Sequence, residues 1–122
     1  MIPEILGFHV HIYFQQLQSG SQDTARHLAV SLERKFQQYF TDAVILYSKL
    51  VGPHNKPNYA LHIKPEGFAE IVSLLQYDNR GLSILIHPET GDEEKDHAHR
   101  AMWIGTPISL DMTYFLRRNH LQ

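Results

Sequence analysis

The sequence has no cysteine among its 122 residues, which excludes disulfide bonds, thiolate metal ligands and cysteine nucleophiles. It also lacks long hydrophobic runs, and no stretch approaches the roughly 20 apolar residues of a membrane-spanning helix. The N-terminal residues show no basic segment followed by an apolar one, the pattern typical of a secretory signal. We therefore expect a cytoplasmic protein without a membrane partner.

An excess of either charge is also missing. Eleven Lys and Arg residues face thirteen Asp and Glu residues, which gives a formal net charge of −2. No basic run alternates with aromatic residues, so the electrostatic footprint of a nucleic-acid-binding protein is absent. The length and the hydrophobic content of 43% indicate one globular domain over residues 1–122.

Histidine, in contrast, is abundant, with nine copies, and the first two lie in a strictly alternating stretch. Phe8, Val10, Ile12 and Phe14 should face the core of a half-buried strand, whereas His9, His11 and Tyr13 leave the opposite face. Two imidazoles about 7 Å apart on one strand face suit two metal ligands or two acid–base groups. A partly exposed strand face that merely carries histidines is the alternative.

The hydrophobic pattern predicts a strand–helix–strand–strand–helix–strand order. Strands are predicted over residues 6–14, 44–51, 58–64 and 82–87, with helices over 22–39 and from residue 65 to about 77. Ser21 is the predicted N-cap of the first helix. Right-handed crossovers turn this order into an α+β, ferredoxin-like βαββαβ sandwich, with two helices on one face of a four-stranded antiparallel sheet.

This topology predicts which side chains share each sheet face. The first strand lies between the third and the fourth, so His9 and His11 should lie near His87, with His62 on the same face. The predicted core face consists of Phe8, Val10, Ile12, Phe14, Leu61, Ile63, Ile84 and Ile86.

A second histidine-rich stretch follows the fourth strand, over residues 87–105. Asp92 should cap a short helix whose end carries His97 and His99, where a cationic imidazole is favoured electrostatically. No spacing typical of zinc proteases or zinc fingers occurs here. Residues 102–104 and 107–110 are predicted to form a covering segment, and residues 117–120 a solvated tail.

Several motifs together resemble the DOPA 4,5-dioxygenase family, from about Gly7 to Leu110. The resemblance rests on the stretches His9-Val10-His11-Ile12-Tyr13-Phe14, Val51-Gly52-Pro53-His54, Gly81-Leu82-Ser83-Ile84-Leu85-Ile86-His87-Pro88, Thr90-Gly91-Asp92 and Asp96-His97 to Trp103-Ile104-Gly105. It implies a small ferredoxin-like protein, typically a homodimer, that uses non-haem iron(II) and dioxygen to open the ring of a catechol such as DOPA.

The residues that match these family motifs are His9, His11, His54, His87 and His97. We expect the three on strands, His9, His11 and His87, to hold the metal. His54 and His97, on connections, are expected to act as general acid and base. Iron(II) that activates oxygen is often held by two histidines and one carboxylate.

Other polar residues are secondary candidates. A carboxylate ligand, if present, would come from Glu89, Asp92 or Asp96, and His62 and His99 are further histidines without a motif. Tyr13 could donate a hydrogen bond to substrate or pack in an interface. Arg80 or Arg100 could bind a substrate carboxylate, although a solvated surface role is favoured for each.

Two other functions are compatible with the same fold. A non-catalytic ligand-binding or assembly module would purify without stoichiometric iron. A cofactor-free monooxygenase would stay active in the presence of a chelator. For the iron enzyme we expect occupancy to fall below about pH 6, and we expect a homodimer with Tyr13, Met102 and Trp103 near its interface.

Overall fold

The computed structural model of the protein describes residues 4–120, and it describes side chains up to Arg118. Residues 1–3 and 121–122 of the predicted domain, and the side chain of His120, lie outside this description.

The centre of the fold is an antiparallel sheet of five strands. The strands are β1 (Gly7–Tyr13), β2 (Ile45–Tyr47), β3 (Asn58–Ile63), β4 (Ile84–Glu89) and β5 (Met102–Ile104), in the spatial order β2-β3-β1-β4-β5. The predicted α+β sandwich is confirmed, with β1 between β3 and β4. The sheet has one strand more than predicted, because part of the covering segment pairs with β4 as β5.

Two helices cover one face of this sheet: α1 (Ser21–Lys35) and α2 (Phe68–Tyr77). The core between helices and sheet contains the predicted residues of the core face, with Phe8 only partly buried. From α1 it receives Ala25, Leu28, Ala29 and Leu32, and from α2 Ile71, Val72 and Leu75. The alternation of β1 therefore places its histidines on the opposite face.

Some element boundaries differ from the prediction. Helix α1 ends at Lys35, and residues Gln37–Tyr39 form a separate 3-10 turn. Its N-cap is Gly20, with a φ of 80°, and Ser21 does not cap it; the Ser21 hydroxyl instead accepts a hydrogen bond from the Gln15 amide. Strand β2 has only three residues, because the chain leaves the sheet after Tyr47.

The histidine face of the sheet is partly covered by two further helices, α3 (Glu93–His97) and α4 (Thr113–His120). Asp92 caps α3 as predicted, accepting a hydrogen bond from the Lys95 amide. Residues 117–120, predicted as a solvated tail, continue α4; the Arg117 side chain is exposed as predicted, whereas Phe115 of the same helix is 1% exposed. The ring centroid of Phe115 lies 5.4 Å from that of His97, so burial of one aromatic side chain fixes α4 over the site.

Within residues 4–120, every helix is too short or too polar to cross a lipid bilayer.

Candidate metal and substrate site

Strand register brings the histidines of three strands together. His9 of β1 lies opposite His62 of β3 on one side and His87 of β4 on the other. His11 extends the row by one pleat, and its ring centroid lies 5.3 Å from that of His87. The structure thus places His9, His11 and His87, the three candidate metal ligands, side by side.

His11 and His87 point their Nε2 atoms at each other, 3.3 Å apart. Both residues use Nδ1 as a donor: His11 donates to Asn58 Oδ1 at 3.0 Å, and His87 donates to the Pro88 carbonyl oxygen at 2.9 Å. Because Asn58 Nδ2 donates to the Lys56 carbonyl oxygen, its Oδ1 must be the atom that faces His11. Both Nε2 atoms therefore present lone pairs, an arrangement that a shared cation would stabilise.

His97, on α3, also has its Nδ1 atom occupied by a hydrogen bond, as His11 and His87 do. Its Nδ1 donates to the Glu93 carbonyl oxygen one helical turn earlier, at 2.7 Å, which leaves Nε2 as an acceptor. The ring centroid of His97 lies 4.0 Å from that of His87.

His54 reaches the same cluster from the connection between β2 and β3. Its ring centroid lies 4.1 Å from that of His11, and its side chain is 6% exposed. The hydroxyl of Tyr13, at the end of β1, lies 2.6 Å from His54 Nδ1. A phenol can either donate to Nδ1 or accept from it, so this pair permits both neutral tautomers of His54.

Two overlapping triads have ligand atoms that all lie within 4.8 Å of one another. One is His9, His11 and His87, and the other is His11, His54 and His97. Both fit the borderline nitrogen-donor preference of first-row transition metals. His11 belongs to both triads and lies at the centre of the cluster.

Burial keeps these imidazoles neutral. It lowers the pKa of His87 to about 3 and that of His54 to about 4, and a cationic His97 would lower both further. Burial also holds the pKa of His11 well below its usual value, with His54 and His87 acting in the same direction. Burial raises the pKa of the Tyr13 hydroxyl, so Tyr13 stays protonated near neutral pH. Neutral imidazoles are the form that binds metal.

The outer edge of the cluster pairs histidines with carboxylates. His9 Nε2 lies 3.3 Å from Glu89 Oε2, and His62 Nδ1 lies 3.2 Å from Asp42 Oδ2. The rings of His9 and His62 stack with centroids 4.1 Å apart. His62 thus supports the ring of His9 by stacking against it.

Of the three carboxylates suggested as ligands, only Glu89 faces the cluster without a structural role in α3. Asp92 caps α3. Asp96 is 2% exposed, and its oxygens accept hydrogen bonds from the amide and hydroxyl of Thr90 and from Arg100. Although burial alone would raise the pKa of Asp96, these hydrogen bonds lower it. The Asp96 network joins α3 to the end of β4 and so fixes the position of His97.

Neither Arg80 nor Arg100 is placed to bind a substrate at the histidines, and Arg80 has the exposed surface position that was the alternative. Arg100 donates hydrogen bonds to Thr90 and Asp96. Arg80 lies beside Thr24 and His27, away from the histidine cluster. Arg118 of α4, which was assigned to the tail, lines a cavity of the site. His27 and His99 are exposed and take no part in the cluster.

Two cavities flank the histidines. The larger, of about 350 Å³, is lined by Leu6, His9, His87, Pro88, Glu89, Gly91, Glu93, Asp96, His97 and Arg118. The other, of about 170 Å³, is lined by His9, His11, Tyr47, Val51, Gly52, Pro53, His54, His62, Glu93, His97, Tyr114 and Phe115. Sequence reasoning missed Asn58, Arg118 and Phe115. For Asn58, the only signal in the sequence was a polar residue at a strand position on the histidine face, opposite Tyr13.

Comparison with known proteins gives concordant results. The model of the Dopa 4,5-dioxygenase family matches residues 8–114. A protein of Amanita muscaria named DOPA 4,5-dioxygenase is 35% identical over an alignment of 112 positions that covers 89% of this chain and 49% of that protein. An uncharacterised 21.2 kDa protein of Botryotinia fuckeliana is 30% identical over an alignment of 118 positions that covers 90% of this chain and 63% of that protein. The chain thus spans about half to two thirds of the length of these relatives.

A solved structure is also similar. The crystal structure of a protein of Nostoc punctiforme, named provisionally as a dioxygenase, superposes with a TM-score of 0.74 at 31% sequence identity. The superposition covers 93% of this chain and 94% of that one, so the two proteins share one fold over almost their whole length.

Proposed function

The chain belongs to the DOPA 4,5-dioxygenase family, and on that basis we propose that it is a non-haem iron(II)-dependent dioxygenase that opens the ring of a catechol such as DOPA. The names of its relatives support an oxygenase that uses a small molecule and dioxygen. To this oxygenase class the proposal adds iron dependence and extradiol-type ring opening.

The observation that carries the proposal is the pair of opposed Nε2 lone pairs on His11 and His87, 3.3 Å apart. Hydrogen bonds to Asn58 and Pro88 hold both rings in the tautomer that a metal requires. We propose His9, His11 and His87 as the ligands. Iron bound there would couple oxidation of the catechol to reduction of dioxygen, which side chains alone do not do.

His54 and His97 are proposed as the proton-transfer residues. A neutral imidazole can accept the proton of a catechol hydroxyl at Nε2 and return it later. For His54, the Tyr13 hydroxyl can accept a hydrogen bond from Nδ1–H, which leaves Nε2 as the basic nitrogen, and it can keep accepting from Nδ1–H while Nε2 carries the transferred proton. α4 covers this part of the site and limits the access of water.

We further propose that the protein is a homodimer. Tyr13, which was expected near the interface, is 2% exposed, whereas Leu46, Leu50 and Val51 are exposed apolar side chains within six residues and Leu116 of α4 is a fourth. A dimer contact would remove such apolar side chains from water. Light scattering should give about twice the chain mass of 14.2 kDa; a stable monomer at micromolar concentration would contradict the proposal.

Anaerobic loading with iron(II), followed by addition of DOPA and air, tests the function. We expect stoichiometric iron, oxygen uptake and a yellow ring-opened product. Absence of the product despite full iron loading would favour a non-catalytic module. Activity that survives a chelator would favour a cofactor-free monooxygenase.

Single substitutions separate the two proposed roles. His9→Ala, His11→Ala and His87→Ala should each lose most of the iron, whereas the exposed His27→Ala serves as a matched control and should retain it. His54→Ala should keep the iron and lower kcat roughly 10²- to 10⁴-fold. If all three strand variants bind iron normally, the ligand assignment is wrong; if His54→Ala loses iron as they do, His54 belongs to the ligand set.

A further inference from the structure

We propose that Arg118 binds a carboxylate on the substrate, so that the enzyme prefers catechols with an acidic side chain over uncharged catechols. This inference rests on the proposed function and adds to it the residue that selects the substrate class. A catechol amino acid and a catechol propionate both belong to the preferred class.

The position of Arg118 relative to the histidines is the first support. Arg118 lines the cavity of about 350 Å³ whose other walls include His9, His87 and His97. This volume lies within the usual range of small-molecule sites, about 300–1,000 Å³. Among the described residues that line the cavity, Arg118 is the only lysine or arginine. A one-ring ligand with its hydroxyls at the histidines would therefore have one permanent cation to meet.

The acidic residues around the cavity already have partners. Glu89 pairs with His9, and Asp96 accepts from Thr90 and Arg100. Glu93 pairs with Arg118 itself. A substrate carboxylate would consequently compete with one residue only, Glu93, whose side chain is 55% exposed and free to turn into solvent.

The guanidinium group also has unused donors. Its Nη1 donates to Glu93 Oε2, whereas its Nε is buried and has no hydrogen-bond partner among the residues whose side chains the structure describes. An unpaired buried N–H is unfavourable, and the planar guanidinium can bind a carboxylate through two parallel hydrogen bonds. A ligand carboxylate would therefore bind at the terminal Nη atoms, where Glu93 now binds, because the buried Nε offers no surface to a ligand.

Aromatic rings hold the Arg118 side chain in place. Its guanidinium carbon lies 5.8 Å from the ring centroid of Tyr114 and 5.6 Å from that of Phe115. Phe115 packs in turn against His97. The cation is therefore positioned with respect to the histidine cluster before a ligand arrives, which reduces the ordering cost of binding.

The test compares two catechols that differ by a carboxylate: 3,4-dihydroxyphenylpropionate and 4-methylcatechol. Arg118→Gln should lower kcat/KM about tenfold for the acid, as expected for one partly exposed charge-assisted contact, and leave 4-methylcatechol within about twofold. Arg117→Gln is the matched control on the same helix, because Arg117 pairs with Asp111 and Thr113 and does not line either cavity of the site.

The variant Glu93→Gln tests whether Arg118 binds the substrate or only forms a structural ion pair with Glu93. If Arg118 binds the substrate, removal of its competitor should leave kcat/KM for the acid unchanged or higher. If Arg118 only joins α4 to α3, Glu93→Gln and Arg118→Gln should both reduce turnover of both catechols, and the proposal would be wrong.

A binding measurement keeps this inference separate from the proposed function. Calorimetry with 3-phenylpropionate and 3-phenylpropanamide, neither of which is a catechol, should show tighter binding of the acid to the wild type and equal binding to Arg118→Gln. If the acid and the amide bound the wild type with equal affinity, the proposed role of Arg118 would be wrong. If neither catechol is opened while the acid still binds through Arg118, only the dioxygenase function fails.

Discussion

At the scale of single residues, Asn58 determines which nitrogen of His11 is available to a ligand. Its side chain is completely buried, and it accepts from His11 Nδ1 while donating to the Lys56 carbonyl oxygen. The second bond prevents the amide from turning its NH₂ group towards His11. The lone pair on His11 Nε2 is therefore a consequence of a residue that is not itself a proposed metal ligand.

Replacing Asn58 should weaken metal binding without removing a proposed ligand. Asn58→Leu should raise the dissociation constant of the metal about 10- to 100-fold, the usual effect of losing an outer hydrogen-bond partner. Asn58→Asp retains the acceptor for His11 but loses the donor to the Lys56 carbonyl oxygen, and it should bind the metal more tightly than Asn58→Leu. Anaerobic titration against a competing chelator measures both constants, and circular dichroism confirms that the variants are folded. Equal affinities for Asn58→Leu and wild type would contradict this role.

At the scale of elements, α4 connects the stability of the fold to the shape of the site. Phe115 is almost fully buried and lies against His97, while the neighbouring Leu116 is 55% exposed. Arg118, on the same helix, extends to the wall of the larger cavity. One buried side chain thus orients both the helix and a cation of the site.

Phe115→Ala should destabilise the protein and loosen α4 at the same time. A Phe→Ala change in a core costs about 3–5 kcal/mol, and a smaller loss of about 2–3 kcal/mol is expected where a surface helix can readjust. Leu116→Ala is the matched control and should change the unfolding free energy by less than about 0.5 kcal/mol. Urea denaturation gives both values, and hydrogen exchange of the α4 amides should accelerate only in Phe115→Ala. Similar losses in the two variants would show that Phe115 does not anchor the helix.

At the scale of the whole molecule, several buried neutral imidazoles make stability depend on pH. The folded-state pKa values of His54 and His87 are about 4 and 3, whereas an unperturbed histidine has a pKa of about 6.5. Between these values the unfolded chain binds more protons than the folded one. The stability is therefore fully present above pH 6.5 and falls as the pH is lowered towards 4 and 3.

For the metal-free protein, we expect the unfolding free energy to fall from pH 7 to pH 5. Each of these two histidines should contribute about 2 kcal/mol to this loss at pH 5. The double variant His54→Gln/His87→Gln should show a flatter profile, since it removes both groups. Urea denaturation at a series of pH values measures it, and a wild-type profile that is flat over this range would contradict the assignment. Because the folded-state pKa values of His54 and His87 lie below that of an ordinary histidine, protons should compete with the proposed metal only below the pH of about 6 that an ordinary histidine predicts.

The sequence by itself determined the order of the first six main elements, the arrangement of the first four strands and the face on which His9, His11, His62 and His87 lie, but not β5 or α4. The physical reason is that alternation along a strand is local, and right-handed crossovers leave few arrangements of six elements. Helix ends were less well predicted, because the N-cap at Gly20 depends on a left-handed backbone conformation and not on a capping side chain.

Only the tertiary structure decided which groups meet. The Tyr13–His54 contact joins residues 41 positions apart, and the His11–Asn58 contact joins residues 47 apart. No periodicity in the sequence specifies such pairs, because each depends on the register of two strands and the path of a loop. The position of α4 was likewise decided by the tertiary structure. Its polar end resembles a solvated tail in the sequence, but Phe115 is buried against His97 and Arg118 lines the cavity.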